Sequence, residues 1–316
     1  MHTTHFGPYR LYEKLGSGGM GEVYVATRAD AAGRVQRVAL KKLHAEVTQD
    51  PLTVARFKHE ARLMMGMSHR NLVEVYRVGE VEGEYYLEME LVQGRSMEQL
   101  LARCRRWRKE QLLPLGGALY MVREVLAALE YCHQYRDERG LPLELVHRDV
   151  NPSNVLVSYS GEVKLTDFGL ATSTYRPDVT ESGMIVGRLG YVAPERWDQK
   201  PVDPRTDVYG VGVILFELIT CQRFAIGTDP RTVRSWLPAR CNLAPSELRP
   251  SVPGEVDDVV LRALHLDPER RFRSAREFRA AVQHILQRQY PTFDVDHLRR
   301  TAVGRPREEV RLSAVA

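Results

Sequence analysis

Two polar clusters stand at the ends of residues 147–169, which read HRDVNPSNVLVSYSGEVKLTDFG. Between them lie two short β-prone runs, residues 155–158 and 163–166, around a turn signal at Ser160-Gly161. This pattern is a hairpin, and a hairpin brings its two ends back together. Asp149 and Asn154 on the entering side therefore meet Asp167 on the leaving side, 18 positions after Asp149. One place then holds a carboxylate able to orient a hydroxyl and take its proton, plus an amide and a second carboxylate offering the oxygen ligands that Mg²⁺ prefers. Gly169 lets the backbone turn directly afterwards. Phosphoryl transfer needs these groups close together.

The rest of the chain bounds the reading. Its 316 residues allow about two domains, and 43% apolar residues suffice for real cores. A net charge of +4 is mild and gives no reason to expect a nucleic-acid partner. Cys104, Cys132, Cys221 and Cys241 show no C-x-x-C spacing, so reduced thiols in a cytoplasm are expected, without a zinc site or a disulfide framework. The start, MHTTHFGPYR, lacks the apolar core of a secretory signal. The longest apolar run, residues 211–216, falls well short of the roughly 20 residues of a spanning helix. No membrane segment is expected.

The N-terminal part reads as strands. Residues 11–15 and 23–26 are β-prone and flank Gly16-Ser17-Gly18-Gly19-Met20-Gly21-Glu22-Val23, a G-x-G-x-x-G-x-V string. Alone this string is weak, because dinucleotide sites and plain glycine hairpins use it too. A dinucleotide fingerprint, however, leads into a helix, whereas EVYVATR is another strand. The strand Val38-Ala39-Leu40-Lys41 follows. Ala39 leaves room for a flat base, and Lys41 can reach phosphates; Lys42 faces the opposite way. Asp50-Pro51 starts a helix on which Phe57, Glu60 and Met64 share a face. A Glu on an apolar face needs a cation, and Lys41 is the natural partner. Residues 71–78 and 85–91 read as two more strands around Glu82-Gly83.

Near Gly94 the composition turns helical, with apolar residues at helical spacing over 96–108 and 119–133. The basic run Arg103, Arg105, Arg106, Arg108, Lys109 is read as a solvated helix end, with a docking patch for acidic partners as the alternative. A polar segment after Gly169 carries six hydroxyls that are candidates for phosphorylation, Thr172, Ser173, Thr174, Tyr175, Thr180 and Ser182, and closes at Ala193-Pro194-Glu195. Residues from about 287 lose periodicity and are given no chemistry.

Taken in order, these motifs resemble the protein kinase family, closest to bacterial eukaryotic-like Ser/Thr protein kinases. The resemblance implies an α+β, two-lobed fold: an N-lobe with hinge over 8–94 built on a five-stranded antiparallel sheet and one main helix, a mostly helical C-lobe over 95–286, and a tail over 287–316. It implies ATP with Mg²⁺, or Mn²⁺, and transfer of the γ-phosphoryl group to Ser/Thr hydroxyls of protein substrates. Asp149 would orient the acceptor, Lys41 held by Glu60 would position the α- and β-phosphates, and Asn154 and Asp167 would hold metal. Gly16, Gly18, Gly21 and Val23 would cover the nucleotide, with Ala39, Leu156, the gatekeeper Met89 and the hinge residues Glu90 and Val92 around adenine. Thr180 and Ser182, in a V-T-E-S stretch, rank first as activation-segment phosphosites, in trans between two transiently paired copies. Glu195 would pair with Arg271, and Asp207 would hold the catalytic-loop backbone.

One feature departs from the family pattern. Asn151 stands where Ser/Thr kinases usually carry Lys, and Arg188 replaces the Thr of a G-T-x-x-Y segment in Gly187-Arg188-Leu189-Gly190-Tyr191. The expectation is that Arg188 supplies the missing charge, since a guanidinium binds phosphate oxygens in bidentate fashion. A pseudokinase that binds nucleotide without transferring phosphate, and a tyrosine or dual-specificity kinase, remain as alternatives.

Overall fold

Alternation along residues 35–43, VQRVALKKL, decides how the N-terminal lobe is layered. Val38 and Leu40 are buried with Phe6, Tyr9, Leu11 and Ala26 on one face of the sheet, while Ala39 and Leu43 join the main core on the other. Side chains of a strand point to opposite faces in turn, so Lys41 shares the face of Ala39. The computed structural model describes residues 4–30, 32–106, 113–137, 139–168, 189–225 and 229–300.

Six antiparallel strands form this sheet: β1 (Thr4–Phe6), β2 (Tyr9–Gly18), β3 (Gly21–Ala29), β4 (Val35–Leu43), β5 (Val75–Val81) and β6 (Glu84–Met89). Their order is β1-β2-β3-β4-β6-β5. The expected count of five is corrected to six by β1, which pairs Phe6 with Tyr9 across Gly7 at φ +51°. Three residues are too few to show a period of two. The short α1 (Ala45–Thr48) leads to α2 (Pro51–Met65), which starts where Asp50 accepts hydrogen bonds from the N–H groups of Leu52 and Thr53. Val54, Phe57, Ala61 and Met64 form its buried face.

The second lobe is organised on α6 (Pro204–Thr220), buried continuously from Thr206 to Thr220. Around it stand α3 (Met97–Arg106), α4 (Leu115–His133), α5 (Pro194–Trp197), α7 (Pro230–Cys241), α8 (Pro245–Leu248), α9 (Gly254–Ala263), α10 (Ala275–Gln289) and α11 (Val295–Leu298). A three-stranded sheet, β7 (Gly94–Ser96), β8 (Val155–Ser158) and β9 (Val163–Leu165), lies between the lobes. β8 and β9 are the hairpin expected from the sequence, with Gly161 at φ +89° in its turn. Gly210 of α6 lets the segment before β8 sit directly on the helix, since a Cβ there would lie 2.8 Å from the carbonyl oxygen of Val150.

Two findings go against expectation or beyond it. Cys104 at the end of α3 is bonded to Cys221, the residue capping α6, so the reading of reduced thiols without a disulfide is corrected. The two are 117 residues apart, and only the tertiary fold brings their Cα atoms to 6.0 Å. Cys132 and Cys241 are free and buried. Beyond residue 290 the chain still packs: Phe293 lies against Gly116 and Gly117 of α4, and Leu298 is fully buried. No helix among the described residues is long and apolar enough to cross a membrane.

Candidate active site

A cleft of about 520 Å³ opens between the lobes, a size usual for small-molecule sites. Gly16, Gly18, Gly21 and Val23 form its roof, and Ala39, Lys41, Met89, Glu90, Val92 and Leu156 line its walls. Asp149, Asn154 and Asp167 lie at its inner end. Among the proposed nucleotide and metal residues within the described part, only Glu60 lies away from the lining. The N–H of Glu90 donates to the carbonyl of Glu74, which leaves the Glu90 carbonyl as the group able to face a base.

The β8–β9 hairpin brings the groups expected to be catalytic together, and α6 fixes the loop before it. Asp207 is 1% exposed and accepts from the N–H groups of His147 and Arg148, both at 2.8 Å, and meets His133 Nε2 at 2.8 Å. Burial opposes its charge, yet His133 and the His147 N–H together hold its carboxyl below the usual range. Arg148 has φ +66°, a conformation that these bonds hold in place. From the far side of the hairpin, Phe168 sets its ring 4.5 Å from that of His147, centroid to centroid. His147 Nε2 in turn lies 3.1 Å from the Thr166 carbonyl, and Asn154 accepts from the N–H of Thr166 through its own carbonyl.

Asn154 Nδ2 donates to the carboxylate and to the backbone carbonyl of Asp149, each at 2.9 Å. With both amide hydrogens so used, its Oδ1 is the atom left for a cation. That oxygen and the Asp167 carboxylate fit a hard divalent ion that takes its remaining ligands from phosphates and water. No group of three or more His, Cys, Asp or Glu able to hold a metal occurs among the described residues.

The ion pair expected between Lys41 and Glu60 is not formed. Lys41 Nζ lies 2.5 Å from Asp167 Oδ1 instead. Glu60 Oε2 is buried without a hydrogen-bond partner, and desolvation pushes its carboxyl up to about 7 despite the pull of Arg148 and Arg56. The ammonium of Lys41 is taken by the carboxylate that follows the hairpin.

Farther out, Glu195 and Arg271 form the expected pair. Arg271 donates to both carboxylate oxygens at 2.9 and 2.7 Å, and Thr206 Oγ1 adds a third bond to Glu195. Sequence reasoning missed a second buried knot at the cleft. Glu217 of α6 accepts from Tyr191 Oη at 2.7 Å, from Arg105 at 2.6 Å and from the N–H of Phe224 at 2.7 Å. Tyr191 lines the cleft, so this knot fixes part of its wall. Arg105, expected on a solvated helix end, is thus committed to Glu217, while Arg103 and Arg106 are exposed. The signal was a lone charge in the apolar run of residues 210–219. Arg108, Lys109, Thr180, Ser182 and Arg188 lie outside the described residues.

The model of the protein kinase domain matches residues 9–290. This chain belongs to the protein kinase family. Its relatives include the tyrosine-protein kinase MasK of Myxococcus xanthus, 35% identical over 282 residues that cover 89% of this chain and 43% of the relative. The serine/threonine-protein kinase PknE of Mycobacterium tuberculosis is 32% identical over 307 residues, or 96% of this chain and 50% of that protein. The chain therefore spans half or less of these curated relatives. Among solved structures, the kinase domain of M. tuberculosis PknI superposes with a TM-score of 0.66 at 30% identity, covering 89% of this chain and 96% of that one.

Proposed function

We propose that the chain is an ATP-dependent protein kinase that moves the γ-phosphoryl group to Ser/Thr hydroxyls of proteins. The carrying observation is that Lys41, Asp149, Asn154 and Asp167 meet in one cleft under the glycine loop. Asp149 orients the acceptor hydroxyl and takes its proton; Lys41 places an ammonium at the phosphates; Asn154 and Asp167 would hold the metal. Mg²⁺, with Mn²⁺ as a substitute, supplies charge neutralisation at the phosphates when bound. The glycine loop and the apolar wall of Val23, Ala39 and Leu156 exclude water from the base side.

The activity belongs on the cytoplasmic side, where ATP is found, and two copies meet transiently to phosphorylate Thr180 or Ser182 in trans. Arg188 supplies the cation that Asn151 does not, and turnover of Arg188→Ala tests that assignment. A tyrosine-specific reading is favoured by Asn151 in place of Lys and by the name of the MasK relative. Incubation with γ-labelled ATP and Mg²⁺, followed by phosphoamino acid analysis, separates the readings. Label on Ser and Thr is expected; label on Tyr alone would replace the first reading with the second, and no label would leave a nucleotide-binding module.

A further inference from the structure

Asn151, the position where this chain leaves the family pattern, is 1% exposed and bonded at both ends of its amide. Its Oδ1 accepts from the N–H of Ser153 at 2.9 Å and so caps the helical turn Pro152–Asn154. That bond settles which end of the amide is which, because a backbone N–H can only donate. Nδ2 therefore faces Asp149. It donates to Asp149 Oδ1 at 2.9 Å and to the Asp149 carbonyl at 3.0 Å. Asn154 reaches the same two groups from the other side, at Oδ2 and at the carbonyl.

Each oxygen of the Asp149 carboxylate is thus held by a different amide, and both amides are anchored on the Asp149 backbone. A Lys at 151 carries three donors and no acceptor, so it could not cap Ser153. The exchange replaces a charge with geometry. We infer that Asn151 is a positioning residue for phosphoryl transfer, which together with Asn154 fixes the rotation of the Asp149 carboxylate. The acceptor hydroxyl then meets the carboxylate in one orientation, and its alignment does not have to be found anew in each encounter. This inference rests on the kinase reading above.

Asn151→Asp tests it, because the side chain keeps its shape and its acceptor for Ser153 while losing the N–H donor to Asp149. Asn151→Ser also keeps a capping oxygen, adds no charge, and is too short to reach the carboxylate. Turnover is measured with myelin basic protein as acceptor, beside wild type and Asp149→Ala, together with KM for ATP and Tm. Since a misplacement of about 1 Å costs about a hundredfold in rate, Asn151→Asp should lose about thirtyfold or more in kcat. Asn151→Ser should lose about tenfold with Tm within about 3 °C of wild type, and in both variants KM for ATP should stay within about threefold. Turnover within about threefold of wild type in a folded variant would overturn the inference. So would a rise in KM matching the loss of rate, which would make Asn151 part of the cleft wall, or loss of the fold in both variants, which would make it a cap and nothing more. Wild type no faster than Asp149→Ala would sink the kinase reading itself.

Discussion

Glu195 and Glu60 are both acidic residues that the sequence pairs with a distant cation, one in each lobe, and they end differently. Glu195 sits 7% exposed in a bidentate bond with Arg271, whose guanidinium also donates to the carbonyls of His265, Arg205 and Leu266. Every polar atom of that pair is committed by rigid elements around α6. Glu60 rides on α2, which is bound to its sheet by four apolar side chains, and its intended partner has an alternative in Asp167. The lesson is that the large lobe presents a finished scaffold, whereas the small lobe holds a choice of partners for Lys41.

The contrast can be broken at either end. Arg271→Met leaves a buried carboxylate without its cation, and the cost should be about 3–5 kcal/mol, seen as a lower midpoint in urea unfolding. A loss below about 1 kcal/mol would mean that the large lobe is no more committed than the small one. Next in size is the bond tying α3 to α6. Cys104→Ser should cost about 2–4 kcal/mol relative to the oxidised wild type and should match wild type unfolded in reductant. Equal stability of oxidised and reduced wild type would show that the α3–α6 junction is held by the Glu217 knot alone.

The smallest effect belongs to Glu60, and its sign follows from its raised carboxyl. Folding favours the protonated form, so the contribution to stability is complete below pH 4.5, the ordinary value, and is lost as pH rises to about 7. Above that, wild type carries a buried carboxylate without a partner. Glu60→Gln should gain on the order of 1 kcal/mol there, after allowance for partial exposure, and nothing at pH 4. A loss of stability at pH 8 would show that Glu60 already has its cation.

Much of this was legible because chemistry and spacing coincide in short stretches. A hairpin over 155–166 has one way to bring Asp149, Asn154 and Asp167 together, and the structure places all three at one end of the cleft. Asp207 and Arg271 were legible only through the resemblance to the kinase family, which implies an Asp holding the catalytic-loop backbone and an Arg paired with Glu195. The rest depended on distance in the fold. Nothing near Cys104 announces Cys221, and three residues of β1 carry no period. Lys41 could be matched to a carboxylate, but the fold pairs it with Asp167 rather than with Glu60. Asn151 read as a missing Lys, since the sequence shows a lost charge and hides three gained hydrogen bonds.

The account stands on Asp149 carrying out phosphoryl transfer in this cleft. Initial rates of phosphate incorporation from γ-labelled ATP, wild type beside Asp149→Ala at equal concentration, address that directly. Loss of the group that orients the hydroxyl and takes its proton should lower the rate by about a hundredfold or more, with nucleotide affinity retained. Equal rates in the two proteins would contradict the account.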